Sequence, residues 1–306
     1  MEIITDIAQQ TLPPSVATIG FFDGVHRGHR FLIEQVKEVA AREKLCSSLI
    51  TFPIHPRQVL QASFHLQLLS TPEEKIQLLG TTGADYCIVL PFTKELSLLS
   101  AREFMQMLRD KYNIRTLVIG YDHRFGHNRS EGFEDYCRYG EELGIYIVRA
   151  RAYEDGEEKV SSSAIRRLIQ EGNVNRAADY LGYWYHLDGI VIDGHKVGRT
   201  LGFPTANLKV DCTSKLIPAD GVYAVFVFVE GKRWAGMLSI GHRPTVNNGD
   251  DTSIEVNILN FSRDIYHQEM RIEFVKYLRQ EEKYDTVEEL IAQLHKDREQ
   301  TAQLLL

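Results

Sequence analysis

The sequence predicts an α/β fold: a domain with a mainly parallel sheet over residues 1–182, then a small antiparallel β-barrel with a terminal helix over residues 183–306. Three observations carry that prediction. In the first half, apolar runs of strand length alternate with amphipathic runs of helical spacing, the pattern of successive strand–helix units. From Tyr183 onward short alternating segments replace them, several separated by turns such as Asp193-Gly194, Asp220-Gly221 and Glu230-Gly231. Gly182 stands at the change as a helix C-cap, so the boundary falls close after it.

Composition bounds the function. A length of 306 residues fits two domains, and 43% hydrophobic with 25% charged residues fits packed cores rather than a disordered chain. The net charge of −7 argues against a general nucleic-acid binder but leaves room for a local cationic pocket. The four cysteines, Cys46, Cys87, Cys137 and Cys212, form no C-x-x-C pair. They read as reduced thiols in a cytoplasmic protein, with no zinc site expected. Residues Met1 to Asp6 lack the basic start and apolar core of a signal peptide, and no apolar run approaches ~18 residues, so no membrane association is expected.

The first strand, Val16 to Phe22, is broken by Gly20-Phe21-Phe22-Asp23-Gly24-Val25-His26-Arg27-Gly28-His29. Beyond it Phe31, Leu32, Val36, Val39 and Ala40 recur at helical spacing up to Arg42. His26 and His29 therefore sit at a strand-to-helix turn, where free helix N–H groups and the dipole favour phosphate. Two imidazoles three residues apart can face one ligand, which suits the phosphates of a nucleotide. Cys46 to Phe52 is the next strand and runs into Thr51-Phe52-Pro53-Ile54-His55-Pro56-Arg57. On its own residues that loop fits either a ligand site at a strand's C-terminal end or a plain proline turn with a solvated Arg57.

Thr71, Pro72 and Glu74 supply the N-cap, N1 and N3 residues of a helix ending at Gly80, and Tyr86 to Leu90 is a buried strand. Ser100 and Glu103 cap a helix reaching Tyr112, and Thr116 to Gly120 is a strand. That strand leads into Gly120-Tyr121-Asp122-His123-Arg124-Phe125-Gly126, again rich in glycine and cations at a strand's end. Ile145 to Arg149 is the last strand of the series. Ser161, Ser162 and Ser163 then open a helix carrying Arg166 and Arg167 to Glu171, which fits equally a phosphate site and a bland capped start. A short helix from Asn173 to Leu181 follows.

In the second half Tyr185 to Asp193, Val222 to Val229, Trp234 to Ile240, Ile254 to Leu259 and Met270 to Leu278 read as strands, and Thr286 with Glu289 caps a closing helix. The stretch Gly194-His195-Lys196-Val197-Gly198-Arg199-Thr200-Leu201-Gly202-Phe203-Pro204-Thr205-Ala206-Asn207 combines glycines for close backbone approach with Lys196 and Arg199 as phosphate counter-charges. Thr205 and Asn207 offer hard oxygen ligands suited to Mg²⁺. A glycine-rich hairpin loop with solvated cations is the plainer alternative. Glu255 shares a strand face with Asn257, away from Ile254 and Val256, and serves as a general base only if a substrate hydroxyl comes within reach.

With these residues laid out, the chain resembles the bifunctional riboflavin kinase/FAD synthetases of bacteria over nearly its whole length. The first half carries the family's H-x-G-H signature as His26-Arg27-Gly28-His29, with Thr51 to Pro56, Gly120 to Gly126 and Ser161 to Arg166 as further landmarks. The second half carries the kinase signature from Gly198 to Asn207, followed in family order by Pro218-Ala219-Asp220-Gly221-Val222-Tyr223, Ile240 to Thr245 and Arg279-Gln280-Glu281. The resemblance implies a Rossmann-like nucleotidyltransferase domain at 1–182 and a riboflavin kinase barrel at 183–306. It implies that the chain phosphorylates riboflavin to FMN with ATP, then adenylylates FMN with ATP to FAD and pyrophosphate.

The same resemblance distributes roles. Gly20, Phe22, Asp23, Gly24, His26, His29, Asp122, Ser162, Ser163 and Arg166 would hold ATP for adenylyl transfer, with His26 and His29 catalytic. In the barrel, Gly194, Lys196, Gly198, Arg199, Gly202, Phe203, Pro204, Thr205, Asn207, Arg279 and Glu281 would bind ATP and flavin. Thr205 and Asn207 would hold Mg²⁺, and Glu255 would take the proton of the ribityl hydroxyl. Three positions depart from the family's usual residues: Ser239 for Asn, Asn257 for His, and His267 for Gly. The expected partners are small molecules, with no nucleic acid or membrane, and the expected state is a monomer or weak homo-oligomer. The alternative is an adenylyltransferase alone, its barrel a non-catalytic flavin-binding module.

Overall fold

The structure is a computed structural model that describes residues 1–5, 12–61, 66–121, 123–127, 130–153, 160–194, 197–244 and 250–306, without the side chains of residues 197, 199, 242–244, 250 and 251. The chain divides into two compact units, Met1–Ser162 and Ser163–Leu306.

The first unit is built on β1 (Glu2–Ile4), β2 (Ser15–Ile19), β3 (Cys46–Thr51), β4 (Tyr86–Val89), β5 (Ile114–Ile119) and β6 (Tyr146–Arg149). These pair in parallel in the order β1-β4-β3-β2-β5-β6. All five residues of β2 are buried, as a central parallel strand covered on both faces requires. The helices are α1 (Arg27–Glu43), α2 (Pro56–Leu60), α3 (Pro72–Gly80), α4 (Lys94–Leu98), α5 (Ala101–Tyr112) and α6 (Phe133–Leu143). On one face Ala17, Ile50 and Leu117 pack with Phe104, Leu108 and Tyr136 of α5 and α6. On the other, Val16 and Val118 meet Val36 and Val39 of α1, while Leu49 and Cys87 meet Ile33 and Leu79. The capping boxes expected at Thr71/Glu74 and Ser100/Glu103 are both closed.

The strand order reverses direction beside β2: β3 and β4 follow it on one side, β5 and β6 on the other. Ligands of open parallel sheets bind at such a switch point, outside the strands' carboxyl ends. Both glycine-rich loops singled out in the sequence, after Ile19 and after Ile119, leave the sheet there.

The second unit opens one residue into α7 (Ser162–Gln170) and continues with α8 (Val174–Leu181), then β7 (His186–Ile192), α9 (Val197–Thr200), β8 (Ala206–Lys209), β9 (Gly221–Val229), β10 (Lys232–Pro244), β11 (Asp250–Ile258), β12 (Glu269–Arg279) and α10 (Val287–Leu305). The six strands close an antiparallel barrel in the order β10-β11-β8-β7-β12-β9. Its interior is filled by Leu187, Val225, Val227, Leu238, Val256, Ile272 and Phe274, all fully buried. The sequence expectation drew the boundary after Gly182, whose φ of 83° ends α8. Residues 163–181 of α7 and α8 belong instead with the barrel, where Ala219 N–H donates to Ile169 O at 3.2 Å and Gly172 packs on the Tyr277 ring. No helix among the described residues is long and apolar enough to cross a membrane.

Candidate active sites

The chain leaves β2 through a strained turn. Phe22 (φ 56°), Gly24 (φ 73°) and Val25 (φ 38°) all occupy left-handed backbone, which costs a side-chain-bearing residue roughly 1–2 kcal/mol. Burial offsets it: Phe22 and Val25 lie inside the cluster of Ile33, Leu49 and Leu79. Gly20 carries no side chain because a Cβ there would come within 2.8 Å of the Phe22 ring. Asp23 is buried, and its carboxylate accepts from Leu69 N at 3.0 Å, Ser70 N at 3.1 Å and Ser70 Oγ at 3.3 Å. Gly24 N donates to Ser70 Oγ at 3.0 Å, and Ser162 Oγ donates to Asp23 O at 3.0 Å. Asp23 and Ser162 thus tie the turn to its neighbours.

His26 is the N-cap of α1; its Nδ1 accepts from His29 N at 3.3 Å. The two imidazoles stack with centroids 3.6 Å apart, and Phe22 meets His29 edge-on at 5.3 Å. His29 Nδ1 is buried without a hydrogen-bond partner among the described residues. Burial, then the neighbouring His26 and Lys75, hold the His29 imidazole well below the ordinary histidine range, so it is neutral at neutral pH. A buried polar atom lacking a partner, at the N-terminus of a long helix, suits a phosphate-bearing ligand.

Lys75 went unnoticed in the sequence, where it is one more charged residue opening α3. It is 2% exposed, donates from Nζ to Phe52 O at 2.6 Å and lies 3.9 Å from the centre of the Phe21 ring. His55, read as a ligand or a turn residue, caps α2 by accepting from Arg57 N and meets Phe21 edge-on. After β5, His123 N donates to Gly120 O, and Phe125 stacks on Tyr136 at 4.2 Å. Asp122 lies outside the described residues. Ser163 and Arg166 fall in the second unit, on the continuation of α7.

In the barrel, Glu255 on β11 is the register partner of Asn207 on β8 and of Ser239 on β10. Directly opposed residues share a sheet face, so these three side chains stand together. Glu255 accepts from Ser253 Oγ at 3.0 Å and from Thr205 Oγ1 at 3.2 Å. Asn257, two residues on, donates to Pro204 O at 2.7 Å and holds the loop that presents Thr205. Gly194 and Gly198 permit close approach: a Cβ would overlap Asn207 at the first and Phe203 O at the second. Phe203 N donates to Gly198 O at 2.8 Å, Gly202 turns at φ 81°, and the buried Phe203 ring anchors the loop against His295 at 5.1 Å. Lys196 and the Arg199 side chain lie outside the described residues.

Opposite this loop, Ser239 donates to Glu281 at 2.5 Å, and Gly241 leaves room for the Glu281 carboxylate. Arg279, at the end of β12, makes a two-pronged bond to Asp297 of α10 at 3.0 and 2.7 Å, and that pairing holds the guanidinium above its usual range against burial. These walls enclose a cavity of about 610 Å³ lined by Phe203, Thr205, Met237, Glu255, Arg279, Glu281 and Tyr284. That volume is within the range of small-molecule sites. The sequence reading found Thr205, Glu255, Arg279 and Glu281 but not Asp297 or Tyr284, which no local pattern marks.

Comparison with known proteins identifies relatives of both units. A family model for FAD synthetase matches residues 8–164, and one for riboflavin kinase matches residues 181–305. A bifunctional riboflavin kinase/FMN adenylyltransferase of Listeria monocytogenes is 38% identical over 288 residues, 94% of this chain and 91% of that protein. Its namesake in Escherichia coli strain K12 is 33% identical over 296 residues, 96% and 94% of the two chains. A crystal structure described as a macrolide-efflux protein of Streptococcus pneumoniae is 31% identical, with a TM-score of 0.90 over 98% of both chains.

Proposed function

The chain belongs to the bifunctional riboflavin kinase/FMN adenylyltransferase family, and from that premise we propose which of its residues carry each reaction. It makes FMN from riboflavin and ATP, and FAD from FMN and ATP. We keep 1–182 and 183–306 as the functional division, since the two family matches leave residues 165–180 unassigned. A barrel without catalysis is not favoured, because relatives covering nearly the whole chain bear both activities.

The observation that carries the kinase reading is the Glu255–Thr205 contact at 3.2 Å in the cavity wall, with Asn207 the register partner of Glu255. An ionised carboxylate can only accept, so the Thr205 hydroxyl spends its hydrogen on Glu255 and turns its lone pairs outward. Asn207 adds an amide oxygen on the same face. That donor set fits Mg²⁺, which would be held by Thr205 and Asn207 and would neutralise charge on the ATP phosphates. Glu255 accepts the proton of the ribityl hydroxyl as it attacks the γ-phosphorus, and the barrel walls position the two substrates. Arg279 and Glu281 in the cavity wall take part in binding ATP and flavin, with Gly194, Gly198, Gly202, Phe203 and Pro204 shaping the loop.

For adenylyl transfer, the turn after β2 and the N-terminus of α1 receive the ATP phosphates. His26 and His29 donate to the phosphates as pyrophosphate leaves; FMN itself is nucleophilic enough to need no dedicated base. Gly20, Phe22, Asp23, Gly24 and Ser162 hold the turn's shape, and Asp122, Ser163 and Arg166 keep the phosphate-binding roles implied by their motifs. The four free cysteines support a reducing, cytoplasmic setting, and a monomeric or weakly associating state is part of the same proposal.

Glu255→Gln tests the kinase assignment. FMN formation from riboflavin falls by about 100-fold or more while FAD formation from supplied FMN is unchanged, read by chromatography of the products. A near-normal kinase rate would remove Glu255 from the chemistry.

A further inference from the structure

Lys75 has no part in either reaction as drawn above, yet it is placed at considerable cost. Moving an ammonium out of water costs several kcal/mol unless the interior answers its charge. Here it is answered by the Phe52 carbonyl at 2.6 Å, at the carboxyl end of β3, and by the face of the Phe21 ring at 3.9 Å, at the carboxyl end of β2. Three segments therefore converge on one nitrogen: α3, the strand end of β3, and the turn that carries the histidines. A structural need to join them would be met by an apolar side chain at lower cost.

We propose that Lys75 is a positioning residue for adenylyl transfer, whose buried ammonium ties the end of β3 to the turn and supplies a fixed positive charge behind the His26–His29 pair. The inference rests on adenylyl transfer taking place at that turn. Two imidazoles stacked at 3.6 Å cannot both be cations without strong repulsion. A charge held on Lys75 gives the site a positive potential for the triphosphate without requiring both rings to be cations. The titratable groups facing Lys75 are Asp23 of the turn, which favours the ammonium, and the His29 ring, kept unprotonated first by its burial, then by His26, with the Lys75 charge adding to both. Cys87 of β4 faces it as well; burial pushes that thiol up to about 11, so it stays neutral. Burial brings Lys75 itself down to about 8, so its charge is lost just above neutral pH. FAD synthesis then has an alkaline limit set by Lys75, and FMN synthesis in the same chain does not.

The test measures FAD formation from supplied FMN and ATP, and FMN formation from riboflavin, across pH in wild type and Lys75→Met. In wild type FAD formation falls with a midpoint near 8, and FMN formation shows no such step. In Lys75→Met the FAD rate at neutral pH drops by about tenfold or more in kcat, with a smaller change in KM, and the alkaline step disappears. FMN formation is unchanged and reports that the chain is folded. A FAD rate within about twofold of wild type, or a loss that keeps the alkaline step, overturns the proposal. Should Lys75→Met lose both activities, the wild-type profiles decide: an alkaline step confined to FAD formation supports it, and the absence of that step overturns it. If His29→Ala retains FAD synthesis, the assignment of the turn itself fails; if only Lys75→Met retains it, the role of Lys75 alone fails.

Discussion

Left-handed backbone separates two kinds of residue in this chain. At Phe22 and Val25 the conformation is enforced by burial and shapes the phosphate-binding turn. At His267 (φ 63°) the side chain is exposed, on left-handed backbone that glycine adopts without strain. Its N–H donates to Val191 O at 2.8 Å, a bond that glycine would keep. His267→Gly therefore stabilises the barrel by roughly 0.5–1 kcal/mol, the relief of left-handed strain less the added freedom of the unfolded chain. The two tryptophans, Trp184 and Trp234, both lie in the second unit, so their fluorescence during urea unfolding reads this out. An unchanged or lower midpoint would mean that the histidine makes compensating contacts. At this scale the sequence was legible in placement: His26 caps α1 at the strand-to-helix turn, and Thr205 and Glu255 meet in the cavity wall. It was silent where burial decides the role: Asp23 is consumed by the 69–70 backbone and Lys75 is buried, and neither fact is visible in a polar stretch of sequence.

Elements with capping signals at their starts were legible in the sequence, whereas what depends on distant partners was not. The Thr286/Glu289 capping box opens α10 as expected. What that helix does was hidden, because its Asp297 pairs with Arg279, eighteen positions upstream. The Asp297 side chain is 3% exposed and Arg279 18%, and Gln293 completes the contact by donating to Asp297 at 2.9 Å. Removing one partner of a buried pair leaves the other charge uncompensated. Asp297→Ala lowers barrel stability by about 3 kcal/mol or more and depresses FMN synthesis, since Arg279 lines the cavity. A tryptophan-fluorescence midpoint equal to wild type would contradict that. β8 escaped notice for a different reason. Four residues, Ala206–Lys209, are too few to show an alternating pattern, and they are a strand because β7 and β11 pair with them on either side. β1 likewise takes its form from the sheet it extends.

For the whole molecule, the order of motifs in the sequence already contained both halves of the function, and the fold explains why they sit where they do. The parallel sheet places its glycine-rich loops at a switch point, and the barrel sets Glu255, Asn207 and Ser239 side by side through strand register. The division of the chain into two compact units, each with its own candidate site, makes the central claim that two reactions run on separate sets of residues. Product analysis of single-site variants tests it most directly: riboflavin, Mg²⁺ and ATP, or FMN, Mg²⁺ and ATP, are incubated with His29→Ala and with Glu255→Gln. The account predicts that His29→Ala accumulates FMN and forms no FAD, while Glu255→Gln forms FAD from supplied FMN and nothing from riboflavin. Loss of both products in either folded variant would contradict it.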